Sequence, residues 1–132
     1  MLQLVYISTA VPSVGENDLS KILARSRTNN RHDELTGFLL FNGQRFLQAL
    51  EGPDAHVEST IARIATDPRH RALVTLSRRA IDAREFGEWA MASFGLRDRD
   101  GAAAIARVDA LTTKASPNVR AQFTSYARLR AA

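Results

Sequence analysis

Short runs of alternating apolar and polar residues are separated by stretches of helical spacing. Leu2, Leu4 and Tyr6 alternate with Gln3, Val5 and Ile7, which predicts a first strand. Pro12-Ser13-Val14-Gly15 breaks it. A helix is predicted near residues 16–28, with Leu19, Ile22, Leu23 and Ser26 on one face. Ser13 and Glu16 have capping-box spacing, and Asn17 is an alternative cap. Residues 35–41 and 45–51 predict two more strands. Asn42-Gly43 lies between them and favours the positive φ angles of a tight hairpin. Pro53 suits the first turn of a second helix, where its missing N–H has no helical acceptor to lose. Val57, Ile61 and Ile64 give that helix a buried stripe. Asp67-Pro68 ends it, because the residue before proline avoids helical angles. Residues 72–77 predict a fourth strand. A loop with Ile81 and Phe86 leads to a fifth near 89–96.

The resulting order, β-α-β-β-α-β-β, is an α+β pattern. It predicts a ferredoxin-like sheet with one added strand and both helices on one face. From Arg97 the pattern changes. Residues 102–111 are alanine-rich, with Ile105, Val108 and Leu111 spaced by three. Ser116-Pro117 marks a break, and Val119, Phe123 and Tyr126 form a further apolar stripe. Phe38 and Leu40 face one way along their strand and Leu39 and Phe41 the other, so both sheet faces need covering. Two C-terminal helices, or a partner subunit, are the candidates for the second face.

The chain has 132 residues, which suits one domain, and 45% hydrophobic with 24% charged residues is ordinary globular usage. No apolar run approaches the roughly 20 residues of a spanning helix, so no membrane role is expected. The N-terminus enters a strand pattern without signal-peptide features, and a cytoplasmic location is expected. The absence of cysteine excludes disulfides, thiolate metal sites and cysteine nucleophiles. The net charge of +4 is spread along the chain. Only Arg78-Arg79 form a short cluster, so direct nucleic-acid binding is not expected. His32, His56 and His70 show no metal-ligand spacing, and no G-x-S-x-G or phosphate-binding glycine loop is present.

Gln48 is the most informative candidate. Period two puts it on the inward face with Phe46 and Leu50, where an unpaired amide costs about 1–3 kcal/mol. Its partner is either backbone and water or a polar ligand in the core. Tyr6 shares a face with Leu2 and Leu4, and its hydroxyl also needs a partner. The first and third strands are expected to be central neighbours, so the two residues can pair, although each is also readable as an ordinary core residue. Asn29-Asn30 follows the predicted first helix, either as a C-cap or as two amides for the edge of a flat heterocycle. Arg63 and Asp67 are four apart and His70 lies close by. They form either a surface ion pair with an exposed histidine or a ligand-binding rim.

Asn29-Asn30-Arg31-His32-Asp33-Glu34-Leu35-Thr36-Gly37-Phe38-Leu39-Leu40-Phe41 resembles the segment N-N-x-x-x-x-[IL]-T-G-x-L-x-[FY] of the BLUF family. Gly43-Gln44-Arg45-Phe46-Leu47-Gln48-Ala49-Leu50-Glu51-Gly52 resembles its G-x-F-x-Q-x-L-E-G signature, with one extra residue before the phenylalanine. Asp67-Pro68-Arg69-His70, Phe86-Gly87-Glu88-Trp89-Ala90-Met91 and the opening Leu4-Val5-Tyr6-Ile7-Ser8 are similar to further family blocks in the same order.

The resemblance covers residues 1–97 and implies a flavin-binding BLUF domain there. Residues 98–132 remain as a helical extension that covers the other sheet face or contacts a partner. It implies noncovalent oxidised flavin between the two helices, FAD by preference with FMN as the alternative. Asn30 would bond the ring edge and Asn29 would help seat it. Arg63, Asp67 and His70 would line the other side, and Ile22 and Ile64 would sandwich the ring. Tyr6 would give an electron and then a proton through Gln48, which is left rearranged, while Trp89 and Met91 relay the change. Nothing is consumed, so a switch rather than an enzyme is expected. A downstream effector protein and a homo-oligomer are the expected partners. A flavin oxidoreductase, or a cofactor-free ferredoxin-like regulatory or RNA-binding module, are the competing functions.

Overall fold

A computed structural model describes residues 1–11, 16–41, 44–86, 89–93, 106, 108–110 and 112–131. The elements are β1 (Leu2–Ala10), α1 (Glu16–His32), β2 (Thr36–Phe41), β3 (Arg45–Gly52), α2 (Asp54–Thr66), β4 (His70–Ala80), β5 (Trp89–Ser93) and α3 (Pro117–Ala131). The sheet order is β4-β1-β3-β2-β5. β1 pairs antiparallel with β3 and β4, and β2 with β3; β5 joins β2 in parallel. This is the expected ferredoxin-like order with the added strand at the β2 edge.

Strand periodicity sorts the core onto two faces. Leu4, Tyr6, Leu39, Phe41, Phe46 and Leu50 lie with Val57 of α2, and Ile61 and Ile64 pack against them. Val5, Phe38, Leu40, Leu47 and Ala49 lie on the opposite face with Phe86, Val108, Val119 and Phe123. The Phe123 ring meets Phe38 edge-on, with centroids 5.1 Å apart at 62°. The apolar residues on both faces of β2 are therefore both buried, as the alternation requires. Gly37 permits the close β2–β3 approach. Its φ is 154°, and a Cβ there would fall 2.0 Å from the Ala49 carbonyl oxygen.

Several boundaries differ from the sequence reading. The first helix continues to His32, so Asn29 and Asn30 lie inside its last turns rather than after it. The stop is a Schellman turn. Glu34 takes the left-handed conformation at φ 58°, Leu35 N–H donates to the Asn30 carbonyl at 2.8 Å, and Glu34 N–H donates to Arg31 at 3.3 Å. Neither asparagine is the left-handed cap. Pro53 stands at the N-cap of α2, one place before its first turn, and its carbonyl accepts from His56 and Val57 N–H. β4 spans His70–Ala80, longer than 72–77, because register shifts against β1 and a positive φ at Ala72 interrupt its alternation. Ser13, Asn42-Gly43, residues 94–96 and most of 102–111 lie outside the described residues. Among the described residues no helix is long and apolar enough to cross a membrane.

Candidate functional site

β1 and β3, neighbouring inner strands, carry the central pair of the site. Their register makes Tyr6 and Gln48 direct partners, and period two turns both toward the helix-covered face. Tyr6 Oη donates to Gln48 Oε1 at 2.9 Å. Both residues are almost fully buried, at 1% and 5% exposure. With the amide oxygen engaged by Tyr6, the rest of the Gln48 amide consists of N–H donors.

Both residues line a pocket of about 490 Å³. α1 contributes Arg25, Ser26, Asn29 and Asn30, and α2 contributes Thr60, Arg63 and Ile64. Leu39, Phe46 and the turn Asp67-Pro68-Arg69 complete the wall. The Asn30 backbone carbonyl closes the helix end, which leaves its side chain to the pocket. Asn30 is 3% exposed, and its Nδ2 has no hydrogen-bond partner among the described residues. An unpaired buried donor costs about 1–3 kcal/mol, so this amide is available to an acceptor lodged in the pocket.

Burial pushes the Tyr6 phenol well above its ordinary pKa, and the Asp67 carboxylate adds to the effect. Tyr6 therefore holds its proton on Oη at neutral pH, with an acceptor already in place.

The expected helical pair of Arg63 and Asp67 is not formed. Asp67 is the extended C-cap of α2, at φ −73° and ψ 122°, so i,i+4 helical geometry no longer applies to it. Its carboxylate instead takes Arg69 in a bidentate contact, at 2.6 Å to Nη2. Arg63 Nη2 donates to Thr60 Oγ1 at 3.2 Å and to Asp33 Oδ2 at 3.4 Å. Both residues still line the same pocket.

Tyr6, Asn29, Asn30, Gln48, Arg63, Ile64 and Asp67 thus meet at one cavity. The side chains of Ile22, His70, Trp89 and Met91 lie outside what the structure describes. Arg25, Thr60 and Arg69 were not among the candidates, and Ser26 was read only as part of the first helix's face. Arg25 and Ser26 lie four before Asn29 and Asn30, and Thr60 four before Ile64, so continuing each helical stripe finds these three; Arg69 lies on no helix and has no such signal. The Arg78-Arg79 cluster is paired, Arg78 with Glu58 and Arg79 with Glu85. Among the described residues no group of histidines and carboxylates could hold a metal ion.

Comparison with known proteins bears on this arrangement. The family model described as "BLUF: Sensors of blue-light using FAD" matches residues 1–92. A blue light- and temperature-regulated antirepressor of Escherichia coli is 38% identical over 79 residues, or 60% of this chain. The chain spans 20% of that relative's length. A structure of Klebsiella pneumoniae BlrP1 with FMN and cyclic diGMP aligns over 97% of this chain and 35% of its own, with 31% identity and a TM-score of 0.82. The dark-state structure of BlrB, a BLUF protein, aligns over 97% of this chain and 96% of its own, with 28% identity and a TM-score of 0.71.

Proposed function

The chain belongs to the BLUF family of blue-light sensors using FAD, and on that premise we propose that it holds the flavin in the Tyr6–Gln48 pocket and signals by rearranging that pair. The observation that carries this reading is a buried tyrosine–glutamine hydrogen bond at the wall of a cavity that also holds an orphaned amide donor.

The residues fit the group. About 490 Å³ lies within the range of ~300–1,000 Å³ common for ligand pockets. Leu39, Phe46 and Ile64 offer apolar walls for a flat ring. The Asn30 Nδ2 donor suits a ring carbonyl, and Asn29 helps seat the same edge. Arg63 and Asp67 would take the other side, with Ile64 against the ring; by family resemblance His70 would join them and Ile22 would enclose the ring's other face. FAD is the proposed cofactor. FMN presents the same ring, so the pocket should accept it as well.

When bound, the flavin supplies blue-light absorption and an excited state that is strongly oxidising. The chain supplies the switch. Burial keeps the proton on Tyr6 Oη in the dark, and Gln48 Oε1 is the acceptor 2.9 Å away. With the flavin bound and excited, Tyr6 would give up an electron and then its proton toward the amide; on return of both, Gln48 would be left rotated or tautomerised and bonded differently to its neighbours. Gln48 pairs laterally with Leu39, and Leu39 with Met91 on β5, so one row of residues runs from Tyr6 to β5. This row supports a relay through Met91 and Trp89.

Residues 1–97 would form the sensor. Residues 98–132 would carry the change to a downstream protein, with the chain working as a cytoplasmic homo-oligomer. Pairing of Arg78 and Arg79 with carboxylates favours a protein partner over direct nucleic-acid contact.

Purified chain mixed with FAD tests the reading. It should turn yellow, shift its flavin absorption to the red under blue light and recover in the dark. Protein that stays colourless after exposure to FAD contradicts it.

A further inference from the structure

The two central strands carry a second buried polar pair on the opposite face. Gln3 and Glu51 are direct partners on β1 and β3, as Tyr6 and Gln48 are. Gln3 Nε2 donates to Glu51 Oε2 at 3.2 Å. Glu51 is 0% exposed. A buried carboxylate is tolerated only when donors saturate it. The other donors are Thr36 Oγ1 at 2.8 Å, Glu85 N–H at 3.0 Å and Phe86 N–H at 2.7 Å. The last two are backbone groups of the segment between β4 and β5, so Glu51 clips that segment to β3.

The clip connects in two directions. Glu51 lies three residues beyond Gln48, about 10 Å along the same strand. Phe86 is 4% exposed and belongs to the cluster that holds Val119 and Phe123 of α3. Arg84, in the same segment, donates to the Glu34 carbonyl at 2.8 Å and to the Glu51 carbonyl at 3.3 Å. Glu34 is the residue whose left-handed turn ends α1 beside Asn30. The segment is therefore tied to the strand of Gln48, to the helix end of Asn30 and to the packing of α3.

We propose that Glu51 is the positioning residue that carries the light-driven change from Gln48 to the C-terminal helix. It rests on the flavin-switch reading and adds, beside the row through β5, a route from the pocket to α3. A shift of β3 at Gln48 moves the Glu51 carboxylate. That strains the Glu85 and Phe86 amide bonds and displaces the Phe86 ring against Val119 and Phe123.

The test is amide hydrogen exchange in the FAD-loaded protein, in darkness and under blue light, with the absorption shift recorded on the same sample. In the unsubstituted chain the Glu85 and Phe86 amides should exchange several-fold faster in the light. Glu51→Gln turns one of the two carboxylate oxygens into an NH2 group, so one of those two amides loses its acceptor and faces a donor. It should keep the red shift but lose the light–dark exchange difference in residues 117–125. A normal shift with equal exchange at Glu85 and Phe86 in light and dark overturns the inference and leaves the flavin reading standing. A folded Glu51→Gln variant with a full response in residues 117–125 also overturns it. If that variant does not fold, the comparison in the unsubstituted chain decides. Loss of the shift in the unsubstituted chain defeats the flavin reading itself, and the inference with it.

Discussion

Tyr6 and Gln48 are direct register partners on β1 and β3, and the phenol donates a 2.9 Å hydrogen bond to the amide oxygen. Two consequences follow from burying this pair. The hydroxyl is almost fully buried and donates to Gln48, so this bond orients the amide. The phenol also resists ionisation, because burial and the Asp67 charge both oppose a phenolate.

Tyr6→Phe should keep the ring packing and leave Gln48 Oε1 without its donor. A loss of about 1–3 kcal/mol in stability is expected, together with loss of the light-driven shift. The stability difference should depend on pH. Below about pH 10 the phenol is protonated in both the folded and the unfolded chain, so it contributes no pH dependence. Above that value the unfolded chain releases the proton while the folded chain keeps it. Stability of the Tyr6 protein then falls by about 1.4 kcal/mol per pH unit until the raised folded value is reached. Urea midpoints of the two proteins should therefore converge as the pH rises from about 10 to 11. A constant gap across that range contradicts the buried, proton-holding phenol.

Asn30→Ala removes an amide donor that has no partner among the described residues. Stability of the flavin-free protein should change little or rise, because an unsatisfied group is lost. FAD affinity should fall about 10-fold or more, the equivalent of at least ~1.4 kcal/mol. Opposite signs in the two measurements identify a residue built for the ligand. Equal losses in both would make Asn30 a structural residue.

Much of this was legible in the sequence. Period-two alternation on both sides of β2 announced two covered faces. Strand parity and topology together placed Tyr6 beside Gln48. Other features depend on backbone geometry or distant partners that no local pattern encodes. The end of α1 is set by Glu34 at φ 58°, a residue without glycine's preference for that conformation, so Asn29 and Asn30 read as lying past the helix. Arg63 bonds Asp33, in the turn after α1, rather than Asp67 four residues on. Glu51 sits within the recognisable signature, yet its donors come from Gln3, Thr36, Glu85 and Phe86, which only the folded sheet brings together.

Gly37→Ala should cripple folding. The added Cβ would lie 2.0 Å from the Ala49 carbonyl oxygen, which is backbone of the neighbouring central strand and cannot swing aside. A destabilisation of about 3 kcal/mol or more is expected, visible as a large drop in the urea midpoint. A midpoint near that of the unsubstituted chain would refute the close approach of β2 and β3.

Phe123→Ala tests the cover on the second face. Phe123 is 0% exposed and meets Phe38 edge-on. Truncation should cost about 3–5 kcal/mol. The pocket lies on the other face, so the size of the red shift should be unchanged in whatever fraction stays folded. A smaller loss, below about 1 kcal/mol, would mean that α3 is not packed on the sheet.

The central claim is that the Gln48 amide is the switch, and the Gln48→Leu absorption difference spectrum tests it most directly. Leucine keeps the volume and apolar contacts but cannot hydrogen-bond Tyr6 or the flavin. The account predicts a yellow protein that binds FAD and shows no red shift under blue light, beside an unsubstituted chain that shifts and recovers in the dark. A normal, reversible shift in Gln48→Leu would contradict it.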